Sequence, residues 1–215
     1  TEADRLAAAL LDVGLQRDDV LVVQLPNMVE QFAVYLACAR LGIIVSPVPV
    51  QYRAHELNHI LAMTQATAAI TLGRIGKTHE AARMFVELAD RHPSIRSVLA
   101  WGDDLPEGVI DLQHAPAHSA QLEARLATAE ATAGVTANDV FTICWTSGTE
   151  SRPKGVPRSH NQWLIAGPDI IYAAELSGHA RLLNPFPMVN MAGIATGFVT
   201  LLTTGGTTVQ HQPCG

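Results

Sequence analysis

The chain has 215 residues, of which 48% are apolar and 16% charged, and its formal net charge is −6. This composition is too apolar for a disordered chain. The acidic balance argues against nucleic acid as the main partner, because phosphate binding needs a surplus of Lys and Arg on one face. No apolar stretch reaches the roughly 18 residues of a membrane span, and the first residues do not resemble a signal peptide. Cys38, Cys144 and Cys214 lack metal-ligand spacing and are expected to be buried thiols in a reducing cytoplasm.

Predicted strands and helices alternate through the first half of the chain. Asn27 lies three residues before Glu30, a capping-box spacing that predicts a helix ending at Gly42, and Thr78 is expected to cap a later helix. The predicted strands are 20–25, 43–48, 68–72 and 95–101, and the predicted helices are 30–41, 54–65 and 78–91. Consecutive units of this kind imply parallel strands with helices that cross over the sheet.

The second half begins with residues 102–119, whose Gly, Asp, Pro and His content predicts a surface excursion. The pattern then predicts helices at 121–133, 159–176 and 192–202, and strands at 140–145, 155–158, 181–185 and 207–210. No internal repeat or flexible linker divides the chain. The predicted fold is a layered α/β domain with a mostly parallel sheet flanked by helices.

The loop after the predicted strand at 140–145 carries the most informative chemistry. Its backbone N–H groups and hydroxyls would be able to turn towards a phosphate chain, with Lys154 as a compact positive charge and Gly148 allowing close approach. The loop is not a Walker A motif, because Lys154 lies between Pro153 and Gly155. A polar turn that merely joins two strands remains an alternative. The candidate phosphate-binding residues are Thr146, Ser147, Gly148, Thr149, Lys154 and Gly155.

The order of these residues resembles the phosphate loop of the adenylate-forming superfamily. Thr-Ser-Gly-Thr is followed, after three residues, by Pro-Lys-Gly-Val, and residues 157–161 continue as in aryl-acid ligases and some alicyclic or medium-chain acyl-CoA ligases. Residues 25–27, 47–57, 187–193 and 205–207 also fit that family. The resemblance therefore covers essentially the whole chain.

The resemblance implies a cytoplasmic enzyme of fatty or aromatic acid metabolism that uses ATP and Mg²⁺ to convert a carboxylic acid into an acyl-adenylate. CoA, or a carrier protein, would then accept the acyl group. Residues 1–215 would be part of the large N-terminal domain, incomplete and without the C-terminal domain, so the chain alone is expected to be inactive. Lys154 would neutralise phosphate charge, and no metal ligand is assigned. Glu150 and Ser151 depart from the usual Thr or Ser followed by Gly, and a carboxylate beside a polyphosphate is unfavourable unless it points away or reaches the metal.

By the same resemblance, Asn190, Met191 and Gly193 would form part of the acid pocket, with Met188 and Val189 adding apolar lining. Many family members have His where Asn190 stands, whereas siderophore-type aryl-acid ligases have Asn. The alternative is that Asn190 only caps the helix that follows. The expected substrate is an aromatic, alicyclic or medium-chain acid, and the oligomeric state is left open.

Two other hypotheses remain. His55, Glu56 and His59 match the zinc motif His-Glu-x-x-His, with Glu80 as an imaginable third ligand. However, the prolines before this stretch place His55 in the first helical turn, and the stretch coincides with a Tyr-x-x-x-Glu-Leu segment that carries no metal in the adenylate-forming family. The second hypothesis is a stand-alone half-fold that binds a nucleotide or a partner surface.

Overall fold

The computed structural model describes residues 1–114, 119–146 and 153–211. Its main sheet has the strand order β5-β4-β3-β1-β2-β6-β7. All neighbouring strands are parallel except β6 and β7, which are antiparallel. The strands are β1 (Val20–Val23), β2 (Ile44–Pro47), β3 (Ala68–Leu72), β4 (Ser97–Trp101), β5 (Val109–Asp111), β6 (Val140–Thr146) and β7 (Lys154–Ser159). The predicted mostly parallel α/β sheet is thus confirmed.

Helices cover both faces of this sheet. They are α1 (Glu2–Asp12), α2 (Val29–Leu41), α3 (Ala54–Thr64), α4 (Ala81–Ala89), α5 (Ala120–Ala133) and α6 (His160–Ala173). In β1, Leu21 and Val23 pack into the core that α1, α2, α5 and α6 share, whereas Val20 and Val22 pack into the core beneath α3 and α4. A strand buried on both faces needs apolar residues at every position, which explains the unbroken Val-Leu-Val-Val run.

A second, smaller sheet lies beside the first. It pairs β8 (Arg181–Asn184) in parallel with β9 (Thr207–Gln210). The connection contains α7 (Met191–Gly193), a π-helical segment (Ile194–Val199) and α8 (Thr200–Thr204). A Cβ on Gly197 would lie 2.6 Å from Nδ2 of Asn184, so the π-helical segment carries glycine where the buried amide packs against it. Among the described residues, none of the helices has the length and hydropathy that crossing a bilayer takes.

Several predicted boundaries are confirmed. Strands β3 and β9 have the predicted bounds, and Gly42 ends α2 in the left-handed conformation with φ of 69°. Helix α3 begins at Ala54, which places His55 in the first turn as expected. Helix α6 ends at Ala173 rather than at residue 176, and β8 ends at Asn184 rather than at residue 185.

Other predictions are wrong for identifiable reasons. Thr78 does not cap α4, because Ile75 and His79 form an isolated bridge and the helix begins only at Ala81. The predicted surface excursion contains β5, a three-residue strand that is too short to show periodicity. The helix predicted at 192–202 is interrupted by the π-helical segment. Helix α1 was not predicted at all, although Thr1 and Asp4 form a capping box at its start.

Tyr35 of α2 connects the two sheets. Its hydroxyl donates to the carbonyl oxygen of Met188 at 2.6 Å and lies 3.2 Å from Nε2 of Gln31, which donates to it. Its ring packs against Phe141 and Phe198, with centroid distances of 5.9 and 5.0 Å. Burial raises the pKa of Tyr35 well above its usual value, so the hydroxyl stays protonated and able to donate. This contact fixes the segment after β8 to α2.

Replacing Tyr35 by Phe should lower the free energy of unfolding by about 1–3 kcal/mol, because two buried polar groups lose their partner. Urea unfolding measures this change. Tyr172, which is 88% exposed, provides the matched control, since the same substitution there should change stability by less than about 0.5 kcal/mol. Equal stability of the two variants would contradict a connecting role for the Tyr35 hydroxyl.

The β6–β7 hairpin is held by Trp145. Its indole N–H donates to Oγ of Ser46 in β2 at 2.9 Å. A Cβ on Gly155 would lie 2.9 Å from Cγ2 of Ile143 and 3.2 Å from Cη2 of Trp145. Because the indole is rigid and anchored, only a residue without a side chain fits at position 155. Gly155 therefore leaves room for Trp145 and Ile143 at the loop end of the hairpin.

Replacing Gly155 by Ala should destabilise the chain by about 1–3 kcal/mol, because the added methyl group overpacks the hairpin against Trp145 and Ile143. Gly178 is the control: a Cβ there would meet only the carbonyl oxygen of Thr204, at 3.4 Å. The thermal midpoints of both variants should separate by several degrees, with Gly178→Ala close to the unmodified chain. A tolerated Gly155→Ala substitution would show that the Trp145 ring moves freely.

Candidate functional site

The candidate site lies at the carboxyl edge of the main sheet. Strands β1, β2 and β6 are mutually parallel, so the residues that follow them emerge at the same edge. These residues are 24–27 after β1 and 48–51 after β2, and Thr146 ends β6 at the same edge. Ligands of open α/β sheets bind outside the carboxyl ends of the strands. The sheet topology therefore gathers the segments that the sequence singled out.

The phosphate-loop candidates are described only at the two ends of the loop. Thr146 ends β6 and Lys154 begins β7, and the two are direct partners in the antiparallel register. Both side chains are exposed. Ser147, Gly148 and Thr149, like Glu150 and Ser151, lie outside the described residues. The hairpin thus places a hydroxyl and an ammonium group side by side where the loop leaves and re-enters the sheet.

Helix α3 supports the second end of this loop. Nε2 of His59 lies 3.2 Å from the carbonyl oxygen of Pro153, and because a carbonyl oxygen only accepts, the ring nitrogen donates. The contact spans 94 positions of the chain. No local pattern in the sequence indicated it. His59 therefore belongs to the surroundings of the loop rather than to a separate metal site.

The geometry gives the zinc hypothesis no support. Glu56 accepts a hydrogen bond from the backbone N–H of Arg53 at 3.0 Å. This bond and one from its own backbone N–H lower the pKa of Glu56, which acts as a helix-capping carboxylate. Within residues 1–114, 119–146 and 153–211, no three His, Cys, Asp or Glu side chains are arranged to hold a metal ion.

Asn190 caps the helical segment that follows it. Its Oδ1 accepts a hydrogen bond from the backbone N–H of Gly193 at 2.8 Å. A Cβ on Gly193 would lie 1.9 Å from the carbonyl oxygen of Pro187, so Gly193 allows a tight turn and presents no side chain. The capping alternative for Asn190 is therefore realised in the structure. Among the residues that the structure describes, none accepts a hydrogen bond from Nδ2 of Asn190.

Asn190 also lines a cavity of about 250 Å³ between the two sheets. One wall follows β1 and β2, and the other is the segment after β8, which contains Pro187 and Val189. Met188 does not contribute, because it is fully buried in the core. Met191 does not line the cavity either, and its sulfur lies 3.9 Å from Nη2 of Arg158. The lining residues are Leu25, Pro26, Asn27, Pro49, Val50, Gln51, Pro185, Pro187, Val189, Asn190 and His211.

Asn27 does not have the helix-capping role that the sequence predicts. Helix α2 has Met28 at its N-cap position, without a side-chain capping bond, so the predicted cap at Asn27 is wrong. The Asn27 side chain instead bonds the backbone of the segment after β8, at Phe186 and Met188, and that of His211. An Asn that follows Pro26 at the carboxyl end of a strand was the available signal.

Cys38, Cys144 and His160 are titratable side chains that pack in the interior. Cys38 and Cys144 are buried, as predicted, and burial raises the pKa of both thiols. Cys214 lies outside the described residues. His160 stacks on Phe141 at a centroid distance of 4.9 Å, and burial lowers its pKa. These three side chains serve packing, so the chemistry at this edge depends on the groups at its surface.

Comparison with known proteins identifies relatives across the whole chain. An uncharacterized acyl-CoA ligase of Bacillus subtilis, YtcI, is 30% identical over 92% of this chain and 36% of its own length. The 2-hydroxy-7-methoxy-5-methyl-1-naphthoate–CoA ligase of Streptomyces carzinostaticus is 30% identical over 83% of this chain and 32% of its own length. The chain thus spans about a third of the length of these curated relatives.

Solved structures show the same fold. The acetoacetyl-CoA synthetase of Streptomyces lividans superposes with a TM-score of 0.80 over 97% of this chain and 32% of the other, at 21% identity. The sequence model of a family described as AMP-binding enzyme matches residues 1–213. With that match over nearly its full length, the chain belongs to the AMP-binding enzyme family.

Proposed function

We propose that the chain supplies the phosphate loop and one wall of the acid pocket for ATP-dependent activation of a carboxylic acid. The carrying observation is the β6–β7 hairpin, which presents Thr146 and Lys154 together at the carboxyl edge of the sheet. The cavity beside Asn190 opens at the same edge. Membership of the AMP-binding family and relatives named as CoA ligases support this proposal.

In the proposed reaction, a carboxylate oxygen of the acid attacks the α-phosphorus of ATP, and pyrophosphate leaves. Lys154 would neutralise charge on the β- and γ-phosphates, and Thr146 and the loop residues would donate hydrogen bonds to them. Mg²⁺ would accompany ATP, and no metal ligand is assigned to this chain. The thiol of CoA, or of a carrier protein, would then displace AMP from the acyl-adenylate.

The cavity favours an acid with an uncharged, apolar body. Most of its lining side chains are proline or aliphatic residues. Because Oδ1 of Asn190 accepts the Gly193 N–H, Asn190 would meet a ligand chiefly through its Nδ2 hydrogens. A hydroxyl or carboxylate oxygen on the acid would accept from them. An aromatic, alicyclic or medium-chain acid meets both requirements.

We further propose that residues 1–215 form part of the large N-terminal domain of such a ligase. Acid-dependent exchange of labelled pyrophosphate into ATP tests the function, with aromatic, alicyclic, medium-chain, acetate and amino acid substrates compared. The chain of 215 residues is expected to show negligible exchange, whereas the gene product at its full length should prefer the first three classes. Preference for acetate or an amino acid would overturn the proposed substrate class, and exchange by the 215-residue chain would overturn its predicted inactivity.

Replacing Lys154 by Met should reduce kcat/KM for ATP at least about a hundredfold, because the compact charge beside the phosphates is lost. The exchange assay on the full-length gene product measures this. Lys77, the other lysine of the chain and also exposed, is the matched control, and Lys77→Met should change kcat/KM less than about threefold. Equal effects of the two substitutions would indicate general electrostatics rather than a phosphate contact.

A further inference from the structure

Asn27 uses its whole side-chain amide to join two parts of the chain that are far apart in sequence. Its Oδ1 accepts from the backbone N–H of Met188 at 2.8 Å. Its Nδ2 donates to the carbonyl oxygens of Phe186 at 3.0 Å and His211 at 2.8 Å. The orientation of the amide is determined, because one partner only donates and the other two only accept.

These bonds fix the two walls of the cavity at a set separation. Asn27 leaves the carboxyl end of β1, which forms one wall together with Leu25 and Pro26. The groups that it holds flank Pro187, which lies in the opposite wall next to Val189 and Asn190. Within the described residues that line the cavity, Asn27 is thus the side chain that bonds one wall directly to the backbone of the other.

The segment has a second anchor on its buried side. The carbonyl oxygen of Met188 accepts from the Tyr35 hydroxyl, and the Asn184 amide donates to the carbonyl oxygen of Phe186 at 3.2 Å. Loss of Asn27 should therefore loosen the cavity wall without releasing the segment from the core. Asn27 is half-buried and does not belong to the core clusters, so its loss should leave the core packing intact.

We propose that Asn27 is a positioning residue that holds the 186–190 wall of the acid pocket and thereby sets the affinity for the acid. This inference rests on the proposed function. Asn27 acts through the backbone at 186 and 188 rather than by touching the reacting atoms. Affinity for the acid should depend on it, whereas affinity for ATP should not, because the described ends of the phosphate loop are held separately by Trp145 and His59.

The substitution Asn27→Asp tests this with almost no change of size. It keeps an acceptor for Met188 but removes both donors and places a negative charge against two carbonyl oxygens. Asn138→Asp is the matched control. Asn138 is exposed, and its Oδ1 accepts from Asn161 at 2.8 Å, so the same change of charge preserves the bond. If Asn27→Asp does not fold, Asn27→Ala removes the bonds without adding charge.

Two measurements are needed. In amide hydrogen exchange on the 215-residue chain, residues 186–190 should exchange at least about tenfold faster in the Asn27 variant, with α1 and β3 unchanged. In the pyrophosphate exchange assay on the full-length gene product, KM for the acid should rise at least about tenfold while KM for ATP stays within about twofold. The Asn138 variant should match the unmodified protein in both.

The outcomes separate the two hypotheses. If exchange at 186–190 is unchanged in the Asn27 variant, Asn27 does not hold the wall and the inference fails. If exchange rises but kcat and both KM values respond together, Asn27 is only structural and the inference also fails. If the unmodified full-length product shows no acid-dependent activity, the proposed function fails and the role in acid binding with it, while hydrogen exchange alone still decides whether Asn27 holds the segment.

Discussion

The site depends on how β6 is paired. Its parallel pairing with β2 directs Thr146 to the edge where β1 and β2 also end. Its antiparallel pairing with β7 returns the chain to that edge, so Lys154 arrives opposite Thr146. A crossover helix after β6 would have carried the next residues to the far end of the sheet. The change from parallel to antiparallel pairing therefore keeps both ends of the loop at the edge of the sheet where the cavity also lies.

The smaller sheet shows what the described part of the chain leaves uncovered. One face of β8 and β9 packs on the π-helical segment, where Asn184 bonds Gln210 and Thr196. On the other face, Leu183 and Val209 are 64% and 42% exposed. Parallel strands are normally buried on both faces. Burial of this apolar face against another surface would be favourable. A half-fold that acted alone would instead expose the face to solvent.

The layers of the fold could be predicted from the sequence, and a candidate site could be assigned to one loop, because both follow from local patterns. The apolar run of β1, the glycine at 42 and the loop from Thr146 to Lys154 each carry their information within a few residues. Asn27 and His59 could not be assigned in this way. Asn27 contacts Met188 across 161 positions, and its capping-box spacing to Glu30 is a local signal that the tertiary contact overrides. The local His-Glu-x-x-His match likewise gave no indication that His59 contacts Pro153, which lies 94 positions away in the chain.

Asn190 illustrates how one side chain can serve the fold and the site together. Capping and substrate binding are not exclusive roles for Asn190, because its amide has both an oxygen acceptor and a nitrogen donor. The cap uses the oxygen, which restrains the amide plane, and the same residue lines the cavity. A histidine at this position would carry at most one hydrogen on each ring nitrogen, whereas Nδ2 of Asn190 carries two. Under the proposed function, an acid that contacts Nδ2 of Asn190 would present an acceptor, and the cap would hold the amide in place for that contact.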